Sequence, residues 1–292
     1  MLTRFFLFFT RLLALLPLPL LRAVGWILGN IAYRLMRSRR KVVHTNLRLC
    51  FPQWSESEIQ CRAREVFGYV MQSWLDRGWL WHASPALLKK RLHLVGAVHE
   101  LEGNAPTVIF APHFVAMDAG WTVLTQQINR PFAVIYAAQS NKDVDAWIVQ
   151  GRKRFGNVQL FQRVEGVRSE IKSMISSLRE GMALCILPDM NYDPRESFFV
   201  PFYGVPAATI PSLSRFAKLG RAKVVPVISR MTEKGYAIEV LAAWENYPTH
   251  DAVADTAFMN AQLETYINTM PSQYYWVHKR FKDRPNGELA PY

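Results

Sequence analysis

The sequence predicts an α/β fold: a largely parallel central sheet flanked by helices on both faces, preceded by an apolar helical segment. Three observations carry this. After Lys90, short apolar runs bounded by turn residues alternate with helical patterns, the mark of consecutive strand–helix units. The 292 residues, half of them hydrophobic, are enough for one large domain and exclude a disordered chain. Residues 1–36 are dense in Leu, Phe, Ile, Val and Trp and stand apart from the rest. The expected organisation is a hydrophobic membrane anchor over 1–36 and a cytoplasmic domain over 37–292, with a helical lead-in to about residue 90 and the α/β core over 91–292.

In the N-terminal block, Arg11 and Arg22 interrupt the apolar run, and Pro17 and Pro19 would kink any helix through it. No uncharged window reaches the roughly 20 residues of a comfortable span, although arginines near the ends of a short span can snorkel. No small-residue cleavage site precedes Arg34, which argues against a signal peptide. Two arrangements stay open, a tilted span or a helical hairpin lying in the membrane interface. The basic cluster Arg34, Arg37, Arg39, Arg40 and Lys41 belongs on the cytoplasmic side.

From Val42 to about Lys90 the pattern is helical. Ser55-Glu-Ser-Glu58 reads as a capping box opening the helix through Ile59, Ala63, Val66, Phe67 and Val70. Trp74, Trp79 and Trp81 read as core or interface aromatics, and His82 and His93 as structural. Strands follow at Leu92–Val95, Thr107–Ala111, Phe132–Tyr136, Ala183–Leu187, Lys223–Ser229 and Tyr236–Leu241, with helices at about 116–128, 143–155, 166–180, 210–219 and 252–269.

The chemistry centres on Val108-Ile-Phe-Ala-Pro-His113-Phe-Val-Ala-Met-Asp118. Imidazole is the side chain suited to taking a proton near neutral pH. At 3.6 residues per turn, residues five apart lie about 140° apart, so His113 and Asp118 cannot share a helix face. With His113 on the loop and Asp118 in the first helical turn, the Asp could orient the ring. The plain alternative is a turn histidine followed by a helix-start acid. Asp189, in Leu187-Pro188-Asp189 at the end of another strand, is either turn chemistry or a catalytic group, since ligands of open α/β sheets bind at strand C-termini. Arg152, Lys153, Arg154, Arg163 and Arg168 put five cations within seventeen residues, either a helix C-terminus complementing its dipole or a phosphate clamp. The terminal run from Pro271 to Pro285 interleaves cations with aromatics and suits nucleic acid, an anionic membrane face or a phosphorylated substrate.

The net charge of +12 asks for an anionic partner. Cys50, Cys61 and Cys185 make neither a metal spacing nor an even disulfide set, which fits a reducing compartment. Cys185 lies in an apolar run and reads as a core thiol.

His113-x4-Asp118 resembles the His-x4-Asp/Glu motif of the lysophospholipid-type acyltransferase superfamily. Pro188-Asp189-Met-Asn-Tyr192, Phe199-Val-Pro-Phe-Tyr-Gly204 with Ala207-Ala-Thr209, and Pro271-Ser-Gln-Tyr-Tyr-Trp-Val-His-Lys-Arg-Phe-Lys-Asp-Arg-Pro285 narrow the likeness to the late acyltransferases of bacterial lipid A biosynthesis. The resemblance implies a glycerolipid acyltransferase-like sandwich around a mixed sheet, at the bacterial inner membrane, the catalytic domain facing the cytoplasm. It implies acyl transfer from acyl carrier protein to the hydroxyl of a 3-hydroxyacyl chain on a lipid A precursor. It places His113 on the general base and Asp118 on its orienting carboxylate, where relatives often have Glu. Arg152 falls on a functionally important arginine and Asp189 on the Asp of a Pro-Asp motif; Arg152, Arg154, Arg163 and Asp189 are the expected substrate-binding residues. No metal and no cofactor beyond the acyl carrier protein co-substrate is implied, and the anionic membrane surface, not nucleic acid, becomes the expected partner. A superfamily member acting on a glycerophospholipid, and a basic membrane-tethered binding protein without catalysis, are the two alternatives.

Overall fold

The structure, a computed structural model, describes residues 2–13, 15–162 and 168–292. Two N-terminal helices, α1 (Leu2–Leu13) and α2 (Leu18–Leu35), lead into α3 (Arg37–Cys50), α4 (Glu56–His82) and α5 (Pro85–Arg91). The capping signal works as expected: the Ser55 hydroxyl accepts the Glu58 N–H at 3.2 Å and opens α4. On α2, Gly25 and Gly29 sit one turn apart on the face against α4. A Cβ at Gly29 would lie 2.6 Å from the Cα of Gly68, so only glycines permit this approach.

The sequence reading took Arg22 as an interruption able to snorkel. The structure instead turns it inward, 3.0 Å from the fully buried carboxylate of Asp76. Asp76 also accepts from Trp79 at 2.9 Å and Tyr236 at 2.5 Å, so the charge that broke the apolar run ties α2 to the rest of the domain. The opposite side of these helices is apolar and open, with Phe8, Leu12, Ile27 and Leu35 exposed. Among the described residues, no helix is long and apolar enough to cross a membrane.

The core is a seven-stranded sheet ordered β1-β9-β8-β2-β5-β3-β4. Its strands are β1 (Leu92–Gly96), β2 (Thr107–Phe110), β3 (Phe132–Tyr136), β4 (Val158–Gln162), β5 (Ala183–Ile186), β8 (Lys223–Thr232) and β9 (Gly235–Val240). Every neighbouring pair is parallel except β8 with β9. This is the mixed, largely parallel sheet expected. It is flanked by α6 (Met117–Gln127), α7 (Lys142–Arg152), α8 (Arg168–Arg179), α9 (Ser212–Gly220) and α10 (Ala252–Asn268).

Three strands were not foreseen. β4 is a short edge strand carrying Gln159 and Gln162, with too few apolar residues for a clear signal. β6 (Phe198–Phe202) and β7 (Val205–Thr209) form a separate antiparallel hairpin containing Pro201 and Pro206, and proline within a run argues against a strand. Tyr203 and Gly204 close the hairpin, both at positive φ as a two-residue hairpin turn requires.

Candidate active site

β2 and β5 lie side by side in register, Phe110 opposite Ile186. Each chain then passes through a proline, Ala111-Pro112-His113 on one and Leu187-Pro188-Asp189 on the other. The Ala111 N–H still donates to the Ile186 carbonyl at 3.1 Å. Three residues beyond the same rung, the two side chains meet: His113 Nδ1 is 2.7 Å from Asp189 Oδ1, and the His113 backbone N–H donates to Oδ2 at 2.9 Å. Tyr274 donates its hydroxyl to the same Oδ2 at 2.9 Å.

Burial pushes the Asp189 carboxyl up, but the His113 ring and N–H with the Tyr274 hydroxyl outweigh it and hold it below the ordinary carboxylate value. An ionised acceptor on Nδ1 keeps the ring proton there. His113 lines a cavity of about 950 Å³, and its Nε2 has no hydrogen-bond partner among the described residues.

The carboxylate that orients the ring is therefore Asp189, where the sequence reading had put Asp118. Asp118 does sit in the first turn of α6, as expected, but its oxygens are taken by two arginines. Oδ1 accepts from Arg152 Nε at 3.2 Å and Nη2 at 3.1 Å; Oδ2 accepts from Arg77 Nε at 2.7 Å. Burial opposes ionisation, yet the two guanidiniums bring the pKa down to about 2. The physical reason is placement: strand pairing fixes Asp189 opposite His113, whereas α6 carries Asp118 onto the side where α4 and α7 supply cations.

The predicted basic cluster divides. Arg152, the last residue of α7, lines the cavity and grips Asp118. Arg154 does not line it. Its guanidinium donates to the carbonyls of Leu80 (2.9 Å) and Ala83, satisfying the C-terminus of α4. Arg163 lies outside the described residues. The terminal run is a scaffold for the His113 corner. Val115 N–H donates to the Gln273 carbonyl at 2.9 Å and Tyr275 N–H to the His113 carbonyl at 3.0 Å. His278 Nε2 accepts the Asn191 N–H at 2.9 Å, steadying the loop after Asp189. Arg280, 2% exposed, is spent on Ala208 O and Thr209 Oγ1.

Sequence reasoning missed Arg77 and Tyr274. Arg77 was legible in principle: a cation set among Trp74, Trp79 and Trp81 in a helix read as core demands a buried anion. Its guanidinium lies 3.8 Å from the Trp74 ring centroid and on Asp118. Cys185 lines the cavity too, but burial pushes its thiol up to about 12, so it offers no thiolate.

The arrangement can do acid–base chemistry on a hydroxyl at the mouth of an apolar cavity. The sequence is similar to known acyltransferases. Residues 1–283 match the family described as bacterial lipid A biosynthesis acyltransferase. The lipid A biosynthesis lauroyltransferase of Escherichia coli (strain K12) is 31% identical, over 95% of this chain and 90% of its own length. The lipid A biosynthesis myristoyltransferase of the same organism is 32% identical, over 91% and 82%. A solved structure, the 1-acyl-sn-glycerophosphate acyltransferase of Thermotoga maritima, overlaps 84% of this chain and 94% of its own at a TM-score of 0.38 and 12% identity. By its match over nearly the whole length, the chain belongs to the bacterial lipid A biosynthesis acyltransferases.

Proposed function

We propose that the protein transfers a fatty acyl chain from acyl carrier protein to the hydroxyl of a 3-hydroxyacyl chain on a lipid A precursor. The observation that carries this is the His113–Asp189 pair opening onto an apolar cavity in a chain of this family. His113 Nε2 takes the hydroxyl proton as the oxygen attacks the thioester carbonyl. The tetrahedral intermediate collapses, the C–S bond breaks, and the imidazolium returns its proton to the leaving thiolate, giving an ester and a thiol. Asp189 is the positioning residue that holds the ring tautomer and stabilises the imidazolium. Arg152, fixed by Asp118, faces the same cavity and supplies positive charge for the developing oxyanion. The hydroxyl attacks the thioester directly in this scheme, and Cys185, a cavity-lining thiol pushed up to about 12 by burial, supplies no competing thiolate.

The exposed apolar side of α1 and α2, followed by Arg34, Arg37, Arg39, Arg40 and Lys41, supports docking in the inner-membrane interface with the catalytic domain on the cytoplasmic side. The net charge of +12 suits both anionic substrates, an acidic carrier and a phosphorylated lipid. The test is mass spectrometry of a lipid A precursor incubated with the protein and a panel of acyl carrier protein thioesters. One added acyl chain is the expected product. His113→Ala should abolish that gain in a folded protein, and full turnover in the variant would defeat the mechanism. Acylation of a glycerophospholipid alone would defeat the acceptor assignment.

A further inference from the structure

The cavity reaches both faces of the sheet. Side chains alternate between faces along a strand, and residues paired across parallel strands share one. Val134, Cys185, Val227 and Ser229 therefore face one way, and Ile135, Phe161 and Ile186 the other, yet all line the same cavity. The first group lies under α6: a Cβ on Gly120 would come 2.2 Å from the Ser229 hydroxyl. The second lies under α8 and α9, whose Met174, Phe216, Ile171 and Leu219 complete the lining. The two lobes join at the strand ends, where His113 stands.

The lobes differ in closure. Under α6, Gly120, Trp121, Leu124, Val134 and Cys185 are all buried, so this lobe is a blind recess. Leu124 lies six residues down α6 from Asp118, a descent of about 9 Å, and Cys185 pairs with Ile109, four residues or about 13 Å before His113. On the other face, Ile171 and Leu219 are 45% and 48% exposed while lining the cavity, so that lobe opens to the outside between α8 and α9, beside Arg215.

We propose that the blind lobe under α6 receives and measures the donor acyl chain, and that the open lobe between α8 and α9 admits an acyl chain of the lipid acceptor. This rests on the acyl-transfer reading above. A blind recess ends at a fixed depth, so it discriminates chain length. An open slot with apolar side chains at its rim and a cation beside it suits a lipid whose remaining chains and anionic headgroup stay outside. Leu124, Val134 and Cys185 are then the specificity-determining floor, and Ile171 and Leu219 the acceptor portal.

The experiment scans kcat/KM against thioesters of even chain length, with the lipid A precursor as acceptor. Leu124→Ala and Cys185→Ala should move the preferred donor to longer chains, with a gain of about tenfold over wild type for a donor two carbons longer, the scale one or two methylenes command in an apolar pocket. Cys185→Ala removes a single sulfur and keeps the test available if Leu124→Ala folds poorly. Leu219→Gln, at an exposed position, should raise the acceptor KM several-fold and leave the donor preference unchanged. An unchanged donor preference in both floor variants, or a shifted one in Leu219→Gln, would overturn the assignment. Failure of the underlying reading has a different signature, namely wild-type protein that acylates no lipid A precursor with any donor.

Discussion

Two buried carboxylates stand within a few residues of the same corner, and they are built differently. Asp189 is held by an imidazole, a backbone N–H and a phenol. Asp118 is held by two guanidiniums. The partners of Asp189 include an imidazole, whose second nitrogen can take up and return a proton; those of Asp118 are guanidiniums, which only donate hydrogen bonds. The first arrangement can follow a proton through a reaction. The second is a fixed ion cluster whose work is to hold Arg152 in place. The difference teaches that the spacing His-x4-Asp in a sequence does not say which acid touches the histidine.

The sharpest way to break this comparison is Asp189→Asn against Asp118→Asn. In Asp189→Asn the amide can donate to Nδ1 and hold the wrong tautomer. We expect kcat to fall about 10³-fold, within the usual range for disabling a general base, with the protein still folded. Asp118→Asn keeps the ring and its partner, so the fall in kcat should be at least tenfold milder. Rate measurements on both variants decide, and the reverse order would restore Asp118 to the ring.

Asp118→Asn should instead show its cost in stability. Removing one partner of a buried ion cluster costs roughly 3–5 kcal/mol, because Arg77 and Arg152 are left facing one another unneutralised. The pH dependence sharpens the point. A carboxyl whose pKa is 3.8 when unperturbed and about 2 when folded adds stability that is complete above about pH 4 and is lost as pH falls through about 2. The contribution is on the order of 2 kcal/mol. Denaturant titrations between pH 5 and 2 should show that slope in the wild type and a flatter one in Asp118→Asn.

Much of this was legible before the structure, and what was not has a physical reason. The core strands with a hydrophobic run, such as Thr107–Phe110 and Ala183–Ile186, were readable because a doubly covered parallel sheet needs apolar residues at every position. The strand-end location of both His113 and Asp189 was readable as well. Their meeting was not, because it depends on β2 and β5 being neighbours, and strand order is a tertiary property that no local pattern encodes. The matched phrases Ala-Pro-His and Leu-Pro-Asp at two strand ends were the available hint. Arg280 and Arg22 were misread for a related reason: a cation in sequence looks like surface, and only the packed fold shows the carbonyl oxygens or the carboxylate that let it be buried.

The smallest effect on activity is expected one step outside the Asp189 cluster, at His278. Burial, with Arg280 nearby, lowers its pKa from 6.5 to about 4, so at neutral pH the ring is uncharged and Nε2 can accept the Asn191 N–H. The sign follows from proton binding: between about pH 6.5 and 4 the unfolded ring is protonated and the folded ring is not, so acid favours unfolding. Stability is complete above about pH 6.5 and erodes by up to about 3 kcal/mol on the way down to 4. Glutamine offers an acceptor that does not titrate. His278→Gln should therefore change activity little at pH 7.5 while flattening the stability curve between pH 6.5 and 4, a window separate from that of Asp118. If the variant keeps the wild-type slope there, the ring is not the group responsible, and the loop after Asp189 is held by Asn191 through its side-chain bond to Asp283 at 2.6 Å instead.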